Sequence, residues 1–355
     1  MIVSPRERQM YMSPLRSLAV VALLGSAPAH ADNPSADPLF QDNSVLEVTL
    51  AAPLQKIIRN KSSKHYEHGQ FQFADASGIT VDLDVRVRAR GNFRLANCDH
   101  PPVWLNFRKS QVKGTLFANQ KKLKLVVHCS RSAYYEQLIL KEYLAYRMLN
   151  LVTDQSFRVR LLRINYVDIS NNRAREPRYG ILIEHKERLA HRLGRTILDI
   201  PRTTPAELDA PQQNLNSVFQ FFIGNTDFSQ FAGPAGEACC HNTVLFAQNE
   251  AKILPVPYDF DQAGFVNASY AAPNPRLRIR TVRTRLYRGR CSNNDYLPTS
   301  FQAFTSNKNA IYELIDTQPG LDHRTATYLR SYTDDFFKLI EDPDASRKQI
   351  YDKCL

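Results

Sequence analysis

The chain has 355 residues, 43% hydrophobic and 23% charged, a balance that excludes a disordered polypeptide and leaves room for one large domain or two lobes with a real core. Its net charge of +11 favours anionic partners such as nucleotides, acidic peptides, phospholipid heads or anionic glycans, without choosing among them.

The amino terminus has the pattern of an export signal. Arg6, Arg8 and Arg16 precede the apolar run Leu18 to Leu24, and Ala29-His30-Ala31 fits a small-x-small cleavage site, with Asp32 as the first mature residue and Met10 or Met12 as alternative starts. A membrane anchor is the rival, but the run is shorter than the roughly 20 residues a spanning helix needs. The expectation is a periplasmic or secreted protein, cleaved near Ala31, with no integral membrane segment afterwards. Removal of residues 1–31 takes away three Arg and one Glu and lowers the net charge from +11 to +9. The six cysteines all follow this point, an even set that reads as disulfides in an oxidising compartment. Cys98 and Cys129 flank strand-like sequence and should pair. Adjacent cysteines rarely bridge each other, so Cys239 and Cys240 should take different partners, with Cys291 and Cys354 the remaining thiols. A zinc site would compete for them, but there is no C-x-x-C spacing.

Residues 32–45 are polar and read as a loose mature terminus. From Ile79 to Arg90 the pattern alternates, with Ile79, Val81, Leu83, Val85, Val87 and Ala89 on one face of a half-buried strand. Short strands should follow over Val103 to Phe107 and Leu123 to Val127, the second with Lys122 and Lys124 on its polar face. Ser132 can cap a helix running to Asn150, after which Phe157 to Val167 and Tyr179 to Glu184 read as strands. Residues 32–187 are therefore expected to form a β-rich N-terminal lobe.

Residues 188–355 change character and are expected to form a helical lobe. Leu215 to Ile223 is a markedly apolar helix ended by Gly224, whose permissive backbone lets the chain turn and present Asn225 and Asp227. Thr243 to Ala247 and Ile253 to Val256 read as a hairpin around Gln248-Asn249-Glu250, which carries Asn242 at one end and Asp259 and Asp261 at the other. Helical patterning returns from Gln302 onward, including Thr325 to Leu339. Carboxylates in apolar sequence are normally paired, hydrogen-bonded or bound to metal, and three acids plus an amide can hold a divalent cation. An acid after a helix, an amide some fifteen residues on and an acid after a short strand is also the order in which phosphoryl-transfer enzymes place a base and two magnesium ligands.

Five segments taken together resemble the successive motifs of the CotH kinase family, atypical protein kinases first known from spore coats. They are Arg88-Ala89-Arg90-Gly91-Asn92, Tyr179 to Lys186, Gly224-Asn225-Thr226-Asp227, His241-Asn242 and Tyr258-Asp259-Phe260-Asp261; they run in the family's order over about half the chain. The resemblance implies an α+β, two-lobed, kinase-like fold that binds ATP and Mg²⁺ or Mn²⁺ between the lobes and transfers phosphate to a protein hydroxyl, on a substrate that could be acidic. It makes Asp227 the catalytic acid, Asn242 and Asp259 metal ligands with Asp261 beside them, and Glu184 a residue of the segment linking the lobes. Lys124 is the choice for the phosphate-facing lysine, with Arg90 or Lys122 as replacements. Residues 227, 242 and 259 should then converge on a common cation.

Two features depart from the family. Phe93 stands where a Ser or Thr usually follows the Arg-Gly-Asn, and the insert Ser229 to Cys240 either displaces Asn242 or forms a pinned loop. Bland readings stand beside the functional ones. Asp227 could be a turn residue, Asp259 and Asp261 could cap a turn or hold a structural calcium, and Lys122 and Lys124 could be a solvated strand face. Arg276, Arg278, Arg280, Arg283, Arg285, Arg288 and Arg290 form a basic run, either an anion groove or a charged edge strand with its first three members on one face. No nucleic-acid motif accompanies this charge, so nucleic acid is not the expected partner. His128, His185, His191 and His241 are scattered and read mostly as structural. The serine-hydrolase, zincin, P-loop and Rossmann motifs are missing. A degenerate kinase-fold protein that binds an anionic envelope ligand or partner, and a metal-dependent phosphohydrolase, remain the alternatives.

Overall fold

The computed structural model describes residues 1–2, 37–171, 173–248 and 251–355. The segment expected to be an export signal lies outside these beyond its first two residues, as do residues 32–36 and the turn residues Asn249 and Glu250. Where the terminus comes into view at Asp37 it is anchored. Both Asp37 oxygens accept from Arg188, and Leu39 and Phe40 are buried with the residues of a β-barrel, so the reading of a loose segment to residue 45 is corrected.

The first half alternates strands with helices: β1 (Leu46–Ala52), α1 (Leu54–Arg59), β2 (Glu67–Ala74), β3 (Thr80–Ala89), α2 (Phe93–Asn97), β4 (Val103–Phe107), α3 (Lys109–Val112), β5 (Lys122–Val127), α4 (Ala133–Val152), β6 (Val159–Asp168), the two-residue β7 (Arg173–Ala174) and β8 (Arg178–Ile183). Antiparallel pairing runs β1-β2-β3-β4-β5-β8-β6, and β6 then pairs in parallel with β1, so seven strands close into a barrel with β7 appended to β6. Period-two alternation fills its interior: Leu83, Val85, Val87 and Ala89 of β3 point inward with Phe71, Phe107, Leu123, Leu125 and Ile164. Ile79 lies before the strand and is exposed.

The second half contains α5 (Lys186–Arg192), β9 (Thr196–Leu198), α6 (Ala210–Ile223), β10 (Thr243–Ala247), β11 (Leu254–Pro257), α7 (Leu297–Ser306), α8 (Lys308–Asp316), α9 (His323–Glu341) and α10 (Pro343–Gln349). Strands β9 to β11 form a small antiparallel sheet of their own. Ser132 caps α4 by accepting from the Tyr134 amide. Helix α4 is buried along most of its length because its surroundings form one core: Val126, Val159, Leu161, Ile181 and Ile183 from the outside of the barrel cluster with α4, α6 and α9. No helix among the described residues is long and apolar enough to cross a membrane.

This architecture corrects the expected α+β, two-lobed kinase-like fold. Its content is mixed α and β, but the sheet is a closed barrel rather than an open lobe. Pairing β1 with β6 removes both free sheet edges, and part of the outer face of β5, β6 and β8 packs into the core shared with the helices.

Cys98 and Cys129 are joined, as the sequence suggests. The expectation that Cys239 and Cys240 take different partners is corrected: they are bonded to each other, and Cys291 is bonded to Cys354. The chain end accounts for the second pairing, because the Cys291 amide donates to the Leu355 carbonyl and the Leu355 amide to that of Gly289, which holds Cys354 beside Cys291.

His128, at the end of β5, gives this fold an acid limit. It is buried among His100, Arg178, Arg94 and Arg175, and burial first and these charges second push its imidazole down to about 3. An unfolded His accepts its proton near 6.5. The stability tied to this group is therefore fully present above pH 6.5 and is lost as pH falls towards 3. Denaturant titrations between pH 7 and 4 should show a falling free energy, with His128 contributing on the order of a few kcal/mol. His128→Phe should flatten the fall, and an unchanged slope would remove His128 as its source.

Candidate active site

Helix α6 ends at Gly224 in the left-handed conformation, φ 63°, where the Asn225 amide donates back to the Gln220 carbonyl. A Cβ on Gly224 would meet the Tyr332 hydroxyl at 2.0 Å, so close approach and backbone geometry both require glycine. Gly224→Ala should lower stability by about 2–4 kcal/mol in equilibrium denaturation, the sum of left-handed strain and displacement of a buried tyrosine. A loss below about 1 kcal/mol would mean that the turn can relax.

The loop after Gly224 is held from both sides. Buried Asn225 accepts the Asp227 amide at 2.9 Å, and Arg288 donates to the carbonyls of Thr226 and Phe228. Arg285 likewise donates to the Phe222 and Tyr332 carbonyls. Two members of the basic run thus satisfy backbone carbonyls around the end of α6. Arg276, Arg278 and Arg280 are exposed on turns and bends rather than on a strand, so the shared strand face expected for them does not form.

Asp227 is the hub of the cluster. His241 Nε2 donates to its Oδ1 at 2.7 Å, while Asn242 Nδ2 donates to its backbone oxygen at 2.7 Å and to Oδ2 at 3.2 Å. The hydrogen bond to Asp227 chiefly, and the charges of Asp227 and Asp259 after burial is set against them, raise the His241 pKa. The insert Ser229 to Cys240 does not displace Asn242. The Ser229 amide donates to the His241 carbonyl and the His241 amide to that of Ala232, so the insert leaves and returns at one place.

Strands β10 and β11 pair from Thr243–Pro257 to Phe246–Leu254, and the Tyr258 amide donates to the Asn242 carbonyl. This sets Asn242 and Asp259 side by side at the end of the hairpin. Both are left-handed, φ 52° and 65°, a region that Asn and Asp tolerate better than most side chains. The Asp259 amide donates to Tyr146 Oη at 2.8 Å, which ties this loop to α4. Asp261 is buried; Tyr270 donates to its Oδ2 at 3.2 Å, and the Arg94 guanidinium lies 4.0 Å away. Arg94 also lies 3.6 Å from buried Glu142, which precedes Tyr146 by one turn of α4. Burial first and the Asp259 charge second push Asp261 up to about 7, and burial also drives Glu142 well above the ordinary carboxylate range.

Lys124 projects from the outer face of β5 over the Tyr258 ring, 4.3 Å from its centroid. Burial first and Arg90 second push its ammonium down to about 7 against the pull of Asp259. Lys122 and Arg90 both lie against the Trp104 ring, 4.2 Å and 5.1 Å from its centroid. The structure therefore gathers Asp227, Asn242, Asp259, Asp261, Lys124 and Arg90 into one electrostatic neighbourhood. Glu184 does not share its contacts. It is buried in an ion pair with Arg192 at 2.9 Å and accepts the Arg158 amide at 3.0 Å, which makes it a structural acid behind β8.

His241, one of the scattered histidines read mostly as structural, is a partner of Asp227, and Arg94, Glu142 and Tyr146 join the cluster without having been expected there. His241 stands next to Asn242 in a quoted motif, so adjacency was a usable signal. Arg94, two residues past the Arg-Gly-Asn, and Glu142 and Tyr146, an i, i+4 pair, carry no local mark of their use. Phe93, the departure from the family pattern, is exposed and packs 5.7 Å from the Tyr270 ring.

Among the described residues no group of three His, Cys, Asp or Glu side chains stands ready to hold a metal. A cation would need a mixed set, Asn242 Oδ1 with Asp259 and Asp261, completed by water or phosphate oxygens. The chemistry of that set fits Mg²⁺ or Mn²⁺: the donors are hard oxygens, and a divalent ion would offset the burial and, after it, the Asp259 charge that raise Asp261. A cavity lies elsewhere, at one end of the barrel, and none of the residues of this cluster lines it. The chain matches no known protein family and no curated protein.

Proposed function

We propose that the chain is an exported, CotH-like phosphotransferase that uses ATP and Mg²⁺ or Mn²⁺ to phosphorylate a protein hydroxyl, working in the periplasm or after secretion. One observation carries this reading: Asp227, oriented by His241 and Asn242, shares a neighbourhood with a mutually repelling acid pair and a half-buried lysine whose ammonium is pushed down to about 7. Phosphoryl transfer asks a protein for orientation and charge neutralisation more than for covalent chemistry. Asp227 would orient the acceptor hydroxyl and take its proton as that oxygen bonds to the terminal phosphorus and the bond to the departing diphosphate breaks. Asn242, Asp259 and Asp261 would hold the cation, whose charge neutralises the phosphate oxygens. Lys124, with Arg90 beside it, would hold the phosphates that are not transferred.

A phosphohydrolase is favoured by one feature, the 2.7 Å contact of His241 with Asp227, since such a pair can equally orient water. Two measurements on the mature chain separate the readings. ATP with Mg²⁺ or Mn²⁺ should raise the melting temperature, and Asp259→Ala should remove the rise, because only a state that binds the ligand is stabilised by it. Radiolabelled phosphate should then appear on protein. Label appearing only as free phosphate would establish hydrolysis, and neither a shift nor turnover would end the transferase reading.

A further inference from the structure

A second site lies at one end of the barrel, away from the cluster around Asp227. A cavity of about 390 Å³ opens there, towards the lower end of the roughly 300–1,000 Å³ typical of small-molecule pockets. Its depth is apolar: Leu50, Val87, Leu125 and Val127 are inward-facing barrel residues, and Ile57 and Ile58 of α1 form one wall. Its rim is cationic, with Arg131, Arg173, Arg175 and Arg178.

The polar atoms between depth and rim lack partners. His100 Nδ1, His128 Nδ1 and Tyr166 Oη are all buried without a hydrogen bond, although all three residues line the cavity and His128 and Tyr166 are 7% and 9% exposed. Their rings form a row, His100 to His128 at 4.9 Å and His128 to Tyr166 at 6.1 Å. Arg175 donates to His100 Nε2 at 3.0 Å, and because arginine can only donate, the His100 proton must sit on Nδ1. His100 Nδ1–H and the Tyr166 hydroxyl are therefore donors waiting for an acceptor, and leaving them unmet in a buried site is costly.

The acids at the rim are already engaged. Asp168 accepts the amides of Gln55 and Ser170, and Glu176 accepts from Arg178. Arg131 and Arg173 have no ion pair among the described residues. The Cys98–Cys129 bond holds this rim in place, since the His100 amide donates to the Cys129 carbonyl.

We infer that the barrel end is a binding site for a single-chain anionic amphiphile, its alkyl chain in the apolar cavity between α1 and the end of the packed barrel and its carboxylate or phosphate head among His100, Tyr166 and the rim arginines. A bare anion would leave the apolar depth unused, and a neutral hydrocarbon would leave the donors and cations unmet. The volume suits one chain rather than a multi-chain lipid.

Calorimetric titration of the full chain with laurate, below its micelle concentration, tests this, with dodecanol and inorganic phosphate as controls. Laurate should bind saturably at one-to-one stoichiometry, and each control at least about tenfold more weakly. Ile58→Trp, which fills the cavity from a partly exposed helix position, and the double variant Arg131→Gln, Arg173→Gln should each weaken laurate at least about tenfold. The double variant, at exposed positions, keeps the test available if Ile58→Trp fails to fold. Absence of saturable laurate binding, or binding untouched by the double variant, would overturn the site. Equal affinity for dodecanol would overturn the anionic head, and equal affinity for phosphate the alkyl chain.

Discussion

Asp227→Asn should slow phosphoryl transfer by about 10²–10⁴-fold, the usual worth of a positioned general base, with little change in melting temperature. The loop does not depend on the carboxylate for its shape. Arg288 holds the Thr226 and Phe228 carbonyls, Asn225 holds the Asp227 amide, and Asn242 donates to the Asp227 backbone oxygen. An amide at this position keeps those bonds and loses only the charge and the basic oxygen. The same substitution should be visible on His241, whose pKa is raised first by its hydrogen bond to Asp227 and would fall without it, a change that NMR titration of the imidazole can read. Protonated His241 donates a charge-assisted hydrogen bond that lowers the basicity of Asp227, so the transfer rate should climb as pH rises through the His241 titration, above its ordinary value of 6.5. His241→Gln should remove this limb at a smaller cost in rate than Asp227→Asn. A 227 variant as fast as its parent would take Asp227 out of the reaction.

The elements around this site were legible because each is written in a short window. Alternation marked β3, Val103 to Phe107 is β4, Ser132 marked the start of α4 and Gly224 the end of α6. The closure of the barrel was not legible. It depends on β1 meeting β6 in parallel, a pairing of Leu46 with Leu162 that no local pattern announces even though β1 itself alternates buried and more exposed residues from Leu46 to Ala52. The same distinction separates the site residues. Asp227, Asn242 and Asp259 follow structural breaks that the sequence displays, whereas Arg94 and Glu142 acquire meaning only when α4 and the turn after β3 pack around Asp261. Glu184 shows the opposite failure: its place in a motif-like segment suggested a ligand contact, but Arg192, eight residues on, neutralises it where it lies.

Arg94→Ala should be among the most destabilising single changes in this chain, at about 3–5 kcal/mol, because it removes the cation from a buried set that keeps two acids. The loss would not come from short hydrogen bonds, since Arg94 stands 3.6 Å from Glu142 and 4.0 Å from Asp261 and its one close contact is to the Val127 carbonyl. It would come from the field. Burial already raises both acids, Asp259 raises them further, and Arg94 is the main opposing charge on each. Without it their folded-state pKa values climb further above the unfolded values of 4.5 and 3.8. A carboxyl raised in this way leaves stability intact below its unfolded pKa and withdraws it as pH rises through its folded pKa. The variant should therefore lose more at pH 8 than at pH 5 in urea denaturation, and Glu142→Gln added to it should recover part of the loss, a coupling of about 1–3 kcal/mol. Strict additivity of the two substitutions, with no difference between the two pH values, would mean that Arg94 serves only through its bond to Val127.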